Sequence, residues 1–139
     1  MIVLDTNVIS EAMSTSPNQT FSVWLSNQPS RDLFTTSISL GEIFYGIELF
    51  PLGNRRTQLL SRAEEMFAKL FTGRMLVFDE LAARAFAAIA FLRRQRGRPI
   101  SIFDAQIAAI AHANRATLAT RNTADFDGCG IHIVNPWVD

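Results

Sequence analysis

Apolar residues in this chain follow two rhythms. Short runs of consecutive aliphatic residues alternate with longer stretches in which apolar positions return every three or four residues, the pattern of buried strands separated by amphipathic helices. Ile2-Val3-Leu4 reads as a strand, followed by a short helix through Val8, Ile9 and Met13 that breaks in the turn-rich stretch 14–18. Phe21, Trp24 and Leu25 then repeat at helical spacing behind Thr20 as N-cap, and Leu33-Phe34-Thr35 is a second strand. Ser37 or Ser39 caps a helix carrying Ile38, Phe44, Ile47 and Leu49, which Pro51-Leu52-Gly53 stops. Residues 54–71 are amphipathic and end at Gly73, Met75-Leu76-Val77-Phe78 is a third strand, and Asp79 caps an Ala-rich helix over 81–95. Ser101 opens a helix running to about Asn114, and Thr117-Leu118-Ala119-Thr120 and Ile131-His132-Ile133-Val134 complete the strands.

Strands alternating with helices predict an α/β/α sandwich with a central, mainly parallel sheet and right-handed crossovers. With no repeat or linker, residues 1–139 read as a single domain. The longest apolar stretch, 85–92, is far too short to span a bilayer, and Asp5 interrupts the N-terminal apolar run before it resembles a signal peptide. Cys129 is the only cysteine, so no internal disulfide can form and a cytoplasmic location is expected. Thirteen basic residues balance thirteen acidic ones, so bulk charge is silent about nucleic acid. All the basic residues but Lys69 are Arg, which suits bidentate phosphate or carboxylate contacts or reflects only the base composition of the gene.

Four acids stand where a carboxylate is expensive. Asp5 opens Asp5-Thr6-Asn7, where a buried strand gives way to its first turn; Glu42 shares a helical face with Ile38 and Tyr45; Asp104 lies early in its helix; Asp125 follows an apolar strand. Ligands of open α/β sheets bind beyond the carboxyl ends of the strands, so the predicted topology brings all four to one edge. Singly, each has a structural explanation: Asp5 and Asp125 as caps or turn residues, Asp104 closing a capping box with Ser101, Glu42 paired with an Arg. Jointly they repel. Two carboxylates about 4 Å apart oppose each other by roughly 4 kcal/mol at an effective dielectric of about 20, a large part of a domain's net stability, and protons or a cation must offset that. All-oxygen acidic ligands select Mg²⁺ or Mn²⁺, and the absence of clustered Cys and His disfavours Zn²⁺. Asn7, Thr120 and Asn122 can orient waters or ligands around such an ion. The chemistry this implies is phosphodiester hydrolysis.

The residues around these acids form ordered motifs: Val3-Leu4-Asp5-Thr6-Asn7-Val8-Ile9-Ser10, Ser39-Leu40-Gly41-Glu42-Ile43-Phe44-Tyr45-Gly46, Gly97-Arg98-Pro99-Ile100-Ser101-Ile102-Phe103-Asp104-Ala105-Gln106-Ile107-Ala108 and Thr120-Arg121-Asn122-Thr123-Ala124-Asp125-Phe126. They resemble, over essentially the full chain, the successive motifs of PIN-domain proteins of the VapC toxin family. The start, Asp5-Thr6-Asn7-Val8-Ile9-Ser10-Glu11, and the ending, Asn135-Pro136-Trp137, are most similar to the FitB-like subgroup. The resemblance implies a PIN fold and a Mg²⁺-dependent ribonuclease in which Mn²⁺ can substitute, with Asp5, Glu42, Asp104 and Asp125 at the family's catalytic and metal-binding positions. It also implies a homodimeric toxin of a type II toxin–antitoxin pair, silenced by a small VapB-like antitoxin that carries the assembly onto DNA. Some family members have an acid where this chain has Asn122.

Other residues leave choices open. Arg93, Arg94, Arg96 and Arg98 lead into the Asp104 helix and can hold an RNA backbone near the ion or complement the dipole of the preceding helix. Arg121, beside Thr120, is the better single candidate for the RNA backbone. His112 and His132 have no partner acid or thiol at recognisable spacing and read as structural, as do Trp24, Trp137 and the Phe residues. Two other function classes compete with a nuclease. A signalling receiver needs a Lys near a late strand, whereas Lys69 falls in a mid-chain helix. A noncatalytic RNA- or antitoxin-binding scaffold would keep the acids without turnover.

Overall fold

The computed structural model describes residues 1–138. Five strands, β1 (Ile2–Leu4), β2 (Leu33–Thr36), β3 (Met75–Leu76), β4 (Thr117–Ala119) and β5 (Ile133–Val134), form one sheet in the order β3-β2-β1-β4-β5. Every pairing is parallel, with Leu4 beside Ala119 and Thr35 beside Met75. From the central β1 the chain works outward to β2 and β3, then crosses to β4 and β5 on the other side. The reversal falls between β1 and β4, where a doubly wound sheet leaves a crevice.

Helices α1 (Thr6–Ala12), α2 (Gln19–Ser26), α3 (Ser37–Glu48), α4 (Asn54–Leu70), α5 (Glu80–Gln95) and α6 (Ile102–Ala113) cover the sheet. Alternation along the central strands divides the core into two layers. Leu4 and Ala119 face a cluster with Val8, Ile9, Phe21, Phe67 and Phe71, while Val3 and Leu118 face one with Ile89, Ile107, Ala108 and Phe126. Each fully buried Leu or Phe contributes about 1.5–3 kcal/mol. α6 carries Ala105 and an unbroken buried run from Ile107 to Ala111 because it lies between the sheet and α5, and its small alanines let α5 approach closely.

Several local expectations shift. β3 stops at Leu76, leaving Val77 exposed, because the Asp79 N–H bonds to the Val77 carbonyl in a tight turn that delivers Asp79 as the α5 cap. β5 is likewise limited to Ile133–Val134 and β4 to Thr117–Ala119. α2 is capped by Asn18 rather than Thr20, through its side-chain oxygen and the Phe21 N–H. α3 is capped by Thr36 rather than Ser37 or Ser39, its hydroxyl accepting from the Ser39 N–H. Thr36 is therefore both the last residue of β2 and the cap of α3, and strand passes into helix with no loop between.

The packing of α6 yields a direct expectation. Ala109→Leu forces extra volume against neighbours that cannot retreat and should lower stability by about 1–3 kcal/mol. Thermal melting of the purified variant should fall by several degrees; an unchanged midpoint would contradict the sandwiched position of this helix.

Candidate metal centre

Asp5 sits where β1 ends, at the crevice between β1 and β4, and is only 3% exposed. The backbone keeps it there: its N–H continues the ladder to the Ala119 carbonyl at 3.0 Å, and its own carbonyl accepts from Val8 and Ile9 in the first turn of α1. Its carboxylate caps that helix, Oδ1 accepting from the Thr6 N–H at 2.8 Å. Oδ2 accepts from the Thr120 hydroxyl at 2.8 Å and the Asn7 side-chain amide at 3.0 Å. Thr120, wholly buried just beyond β4, also accepts from the Asn122 N–H at 3.1 Å, and Asn7 Oδ1 accepts from the Arg121 N–H at 3.2 Å. The expected orienting trio of Asn7, Thr120 and Asn122 thus divides: the first two hold Asp5 directly, and Asn122 contributes here through its backbone.

Glu42, half-buried on α3, reaches the same place through Thr6, whose hydroxyl donates to Glu42 Oε1 at 2.8 Å and lies 2.9 Å from the Ser39 hydroxyl. Asp104 is the third residue of α6, half-buried, with its N–H capped by the Ser101 hydroxyl at 3.2 Å. Asp125 lies exposed in a one-turn 3-10 helix, Thr123–Phe126, anchored by buried Phe126. The four acids form a string in which Asp5 feels the charges of Asp104 and Glu42, and Asp104 feels that of Asp125. Among the described residues, no three acid, His or Cys side chains are gathered tightly enough to clamp an ion unaided.

Burial dominates the electrostatics. It pushes the Asp5 carboxyl up to about 6, against the lowering effect of the bonds from Thr120 and Thr6, with Asp104 and Glu42 adding to the rise. Asp104 is also raised, first by burial; Ser101 opposes this, Asp125 reinforces it and Arg93 opposes it. Among the described residues none of the four acids is in an ion pair, so the pairing of Glu42 with an Arg does not occur. Carboxylate oxygens gathered at one edge, two of the acids raised chiefly by burial and none in an ion pair among the described residues, suit a hard cation that keeps several waters.

The basic and aromatic residues are arranged less simply. Arg93 is buried and donates to backbone carbonyls, including that of Asp125. Arg98 pairs with Asp127 at 3.1 Å and donates to the Ala124 carbonyl, so it braces a loop. Arg121 is exposed beside the site, its guanidinium 5.2 Å from the centre of the Trp137 ring. Trp137 in turn packs on Phe21, at 4.9 Å between ring centres. His112 and His132 are exposed and stand outside the acid cluster, His132 beside Thr117. Lys69 pairs with Glu65 on α4, which removes the lysine a receiver requires. Sequence reasoning missed Thr6, Ser39 and the buried role of Arg93; only the position of Thr6 inside Asp5-Thr6-Asn7 pointed toward it.

Beside Thr6 and Glu42 opens a groove of about 390 Å³ between α1, α3 and α4, floored by Ile43, Ile47 and Leu59 and reaching Arg55 and Arg62. Among the described residues no helix is long and apolar enough to cross a membrane.

Residues 2–128 match the PIN domain among known protein families. The chain is 37% identical over 139 residues to Toxin FitB of Neisseria gonorrhoeae, with 100% of both chains covered. It is 37% identical over 137 residues to VapC ribonuclease Y4jK of Sinorhizobium fredii, covering 99% of this chain and 98% of that protein. Among solved structures, FitAB bound to an IR36 DNA fragment matches with a TM-score of 0.92 and 36% identity, over 99% of this chain and 96% of that one.

The raised Asp5 carboxyl has a pH signature. The folded chain holds this proton up to about pH 6, while the unfolded chain releases it near 3.8, so stability contributed by the protonated group is lost as pH rises through that window. The loss should be about 3 kcal/mol in metal-free protein. Asp5→Asn removes the titration, so in chelator the melting temperature of the variant relative to wild type should rise between pH 4 and pH 7. A difference that does not change with pH would show that Asp5 ionises normally.

Proposed function

The chain belongs to the PIN-domain family, in its VapC-like toxin group, and from that premise we propose that it is a divalent-cation-dependent endoribonuclease acting as the toxin of a toxin–antitoxin pair. The observation that carries this reading is the Asp5 carboxylate, buried at the switch point of the sheet within reach of the charges of Glu42 and Asp104, with Asp125 next to Asp104 and none of the four in an ion pair among the described residues.

In this reading Asp5, Glu42, Asp104 and Asp125 hold Mg²⁺, or Mn²⁺ in its place. A cation held by these residues would supply activation of a water and an offset for charge developing at phosphorus in an in-line displacement. The chain's own contribution is positional. Thr120 and Asn7 fix Oδ2 of Asp5, the Thr6 N–H fixes Oδ1, and the Thr6 hydroxyl fixes Glu42, so two carboxylates are presented in set directions without reorganisation. A cation bound there would compete with the proton that burial favours on Asp5. Asn122 can orient a water by its side chain, as its N–H is already committed to Thr120. Arg121, exposed beside Asn7 and steadied by Trp137, offers its guanidinium to an RNA phosphate. Arg98, engaged with Asp127, serves this less well.

The partners in this proposal are RNA as substrate and a small VapB-like antitoxin that carries a homodimer of the toxin onto DNA, in line with the FitAB–DNA complex. The groove beside Glu42 gives an inhibitory segment a seat next to the acids. A cytoplasmic location accords with RNA as substrate.

Purified protein freed of antitoxin should cut single-stranded RNA with Mg²⁺ or Mn²⁺ and not in EDTA, and Asp5→Asn should reduce cutting at least about 100-fold while remaining folded. RNA left intact by wild type in Mn²⁺ would favour the noncatalytic scaffold, and cutting by Asp5→Asn in chelator would refute the site. Saturating Mn²⁺, at about 100 times its dissociation constant, should add roughly 2.7 kcal/mol and raise the wild-type melting temperature by several degrees. No rise across millimolar Mn²⁺ would count against a cation site.

A further inference from the structure

Arg93 lies in the last turn of α5 and is only 5% exposed, although the run of arginines to which it belongs reads in sequence as holding RNA or complementing the helix dipole. Its guanidinium donates to main-chain carbonyls from two separate segments. Nε reaches the Arg98 carbonyl at 2.7 Å, while Nη1 reaches the Asp125 carbonyl at 2.6 Å and the Asp127 carbonyl at 3.1 Å, and lies 3.7 Å from Cys129 Sγ. The Arg98 segment leads directly through Ser101 into α6, which carries Asp104; the other segment carries Asp125 itself.

We propose that Arg93 is a positioning residue whose buried guanidinium joins the segments bearing Asp104 and Asp125, and so sets the affinity of the acid cluster for a divalent cation. The inference rests on the metal-site reading above and assigns part of that site's geometry to a residue outside it. Asp104 feels the negative charge of Asp125, a repulsion that the packing of the two segments has to withstand. The guanidinium opposes this twice: its hydrogen bonds tie the two backbones, and its charge acts favourably on Asp104. A planar fork donating in several fixed directions can do this, whereas an ammonium cannot make the same set of bonds. Neighbouring arginines press on the same loop from outside. Arg98 binds Asp127 Oδ2 at 3.1 Å and the Ala124 carbonyl at 3.3 Å. Gly128, at φ +76°, leaves space for Arg96, whose Nη1 would lie 2.7 Å from a Cβ placed there.

The test compares wild type, Arg93→Lys and, as a destabilised control, Phe71→Leu in the opposite core layer. Mn²⁺ affinity is measured by calorimetry, and hydrogen exchange at the Asp125, Asp127 and Cys129 amides is followed in metal-free protein. Arg93→Lys should bind Mn²⁺ at least about tenfold more weakly and exchange those amides faster than its global stability dictates. Phe71→Leu should stay within about twofold of wild-type affinity, which a general loss of stability would not predict. Arg93→Lys that is folded and binds within twofold of wild type overturns the proposal. If Arg93→Lys does not fold, hydrogen exchange in metal-free wild type decides: Asp125, Asp127 and Cys129 amides protected as well as those of the core support the clamp, and amides exchanging like exposed loop overturn it. Wild type that takes up no Mn²⁺ overturns the metal-site reading and this inference with it, an outcome distinct from loss of the clamp alone.

Discussion

The molecule is organised around one carboxylate that cannot move. Asp5 is fixed by the sheet ladder on its N–H, by the first turn of α1 on its carbonyl, and by Thr6, Asn7 and Thr120 on its side chain. Each of those partners belongs to an element the fold needs for other reasons, so releasing the carboxylate would mean dismantling the junction of β1, α1 and β4. A charge in such a place is disfavoured by burial and by neighbouring acids, and the hydrogen bonds offset only part of that. The site is therefore strained toward neutrality, either by a proton or by a positive ion.

Much of this was legible in the chain. The apolar run ending at Asp5 and the alternation of strand and helix follow from burial, which leaves a local trace in residue order, so the doubly wound sheet and the edge holding Asp5, Glu42 and Asp104 could be read directly. Caps were harder to assign. Thr36 and Asn18 displaced Ser37, Ser39 and Thr20 because several hydroxyl or amide side chains lie within a few residues of each helix start, and the backbone angle that selects one leaves no mark in composition. The shortness of β3 depended on a turn at Val77, which no apolar count reveals.

The arginines show the limit most clearly. Arg93 and Arg121 are the same residue type near the same site, yet one is buried against carbonyls 32 residues away in the chain and the other is exposed over an indole ring. Sequence separation hides such contacts. A helix-terminal run of basic residues looks alike whether it faces water, RNA or the protein's own loop, and only the fold distinguishes them. The proximity of Thr6 to Glu42, 36 residues apart, was hidden in the same way.

The direct passage of β2 into α3 at Thr36, and of β1 into α1 at Asp5, leaves no slack in the chain at either junction. Inserting one residue there would swing the following helix by about 100°, turning Glu42 or Asn7 away from the crevice. Changes of length are thus barred at these joints and tolerated at the far ends of the helices, as around Pro51-Leu52-Gly53, where exposed chain links α3 to α4. The acidic centre thus depends on a fixed count of residues at these two joints, a constraint that the outlying links do not share.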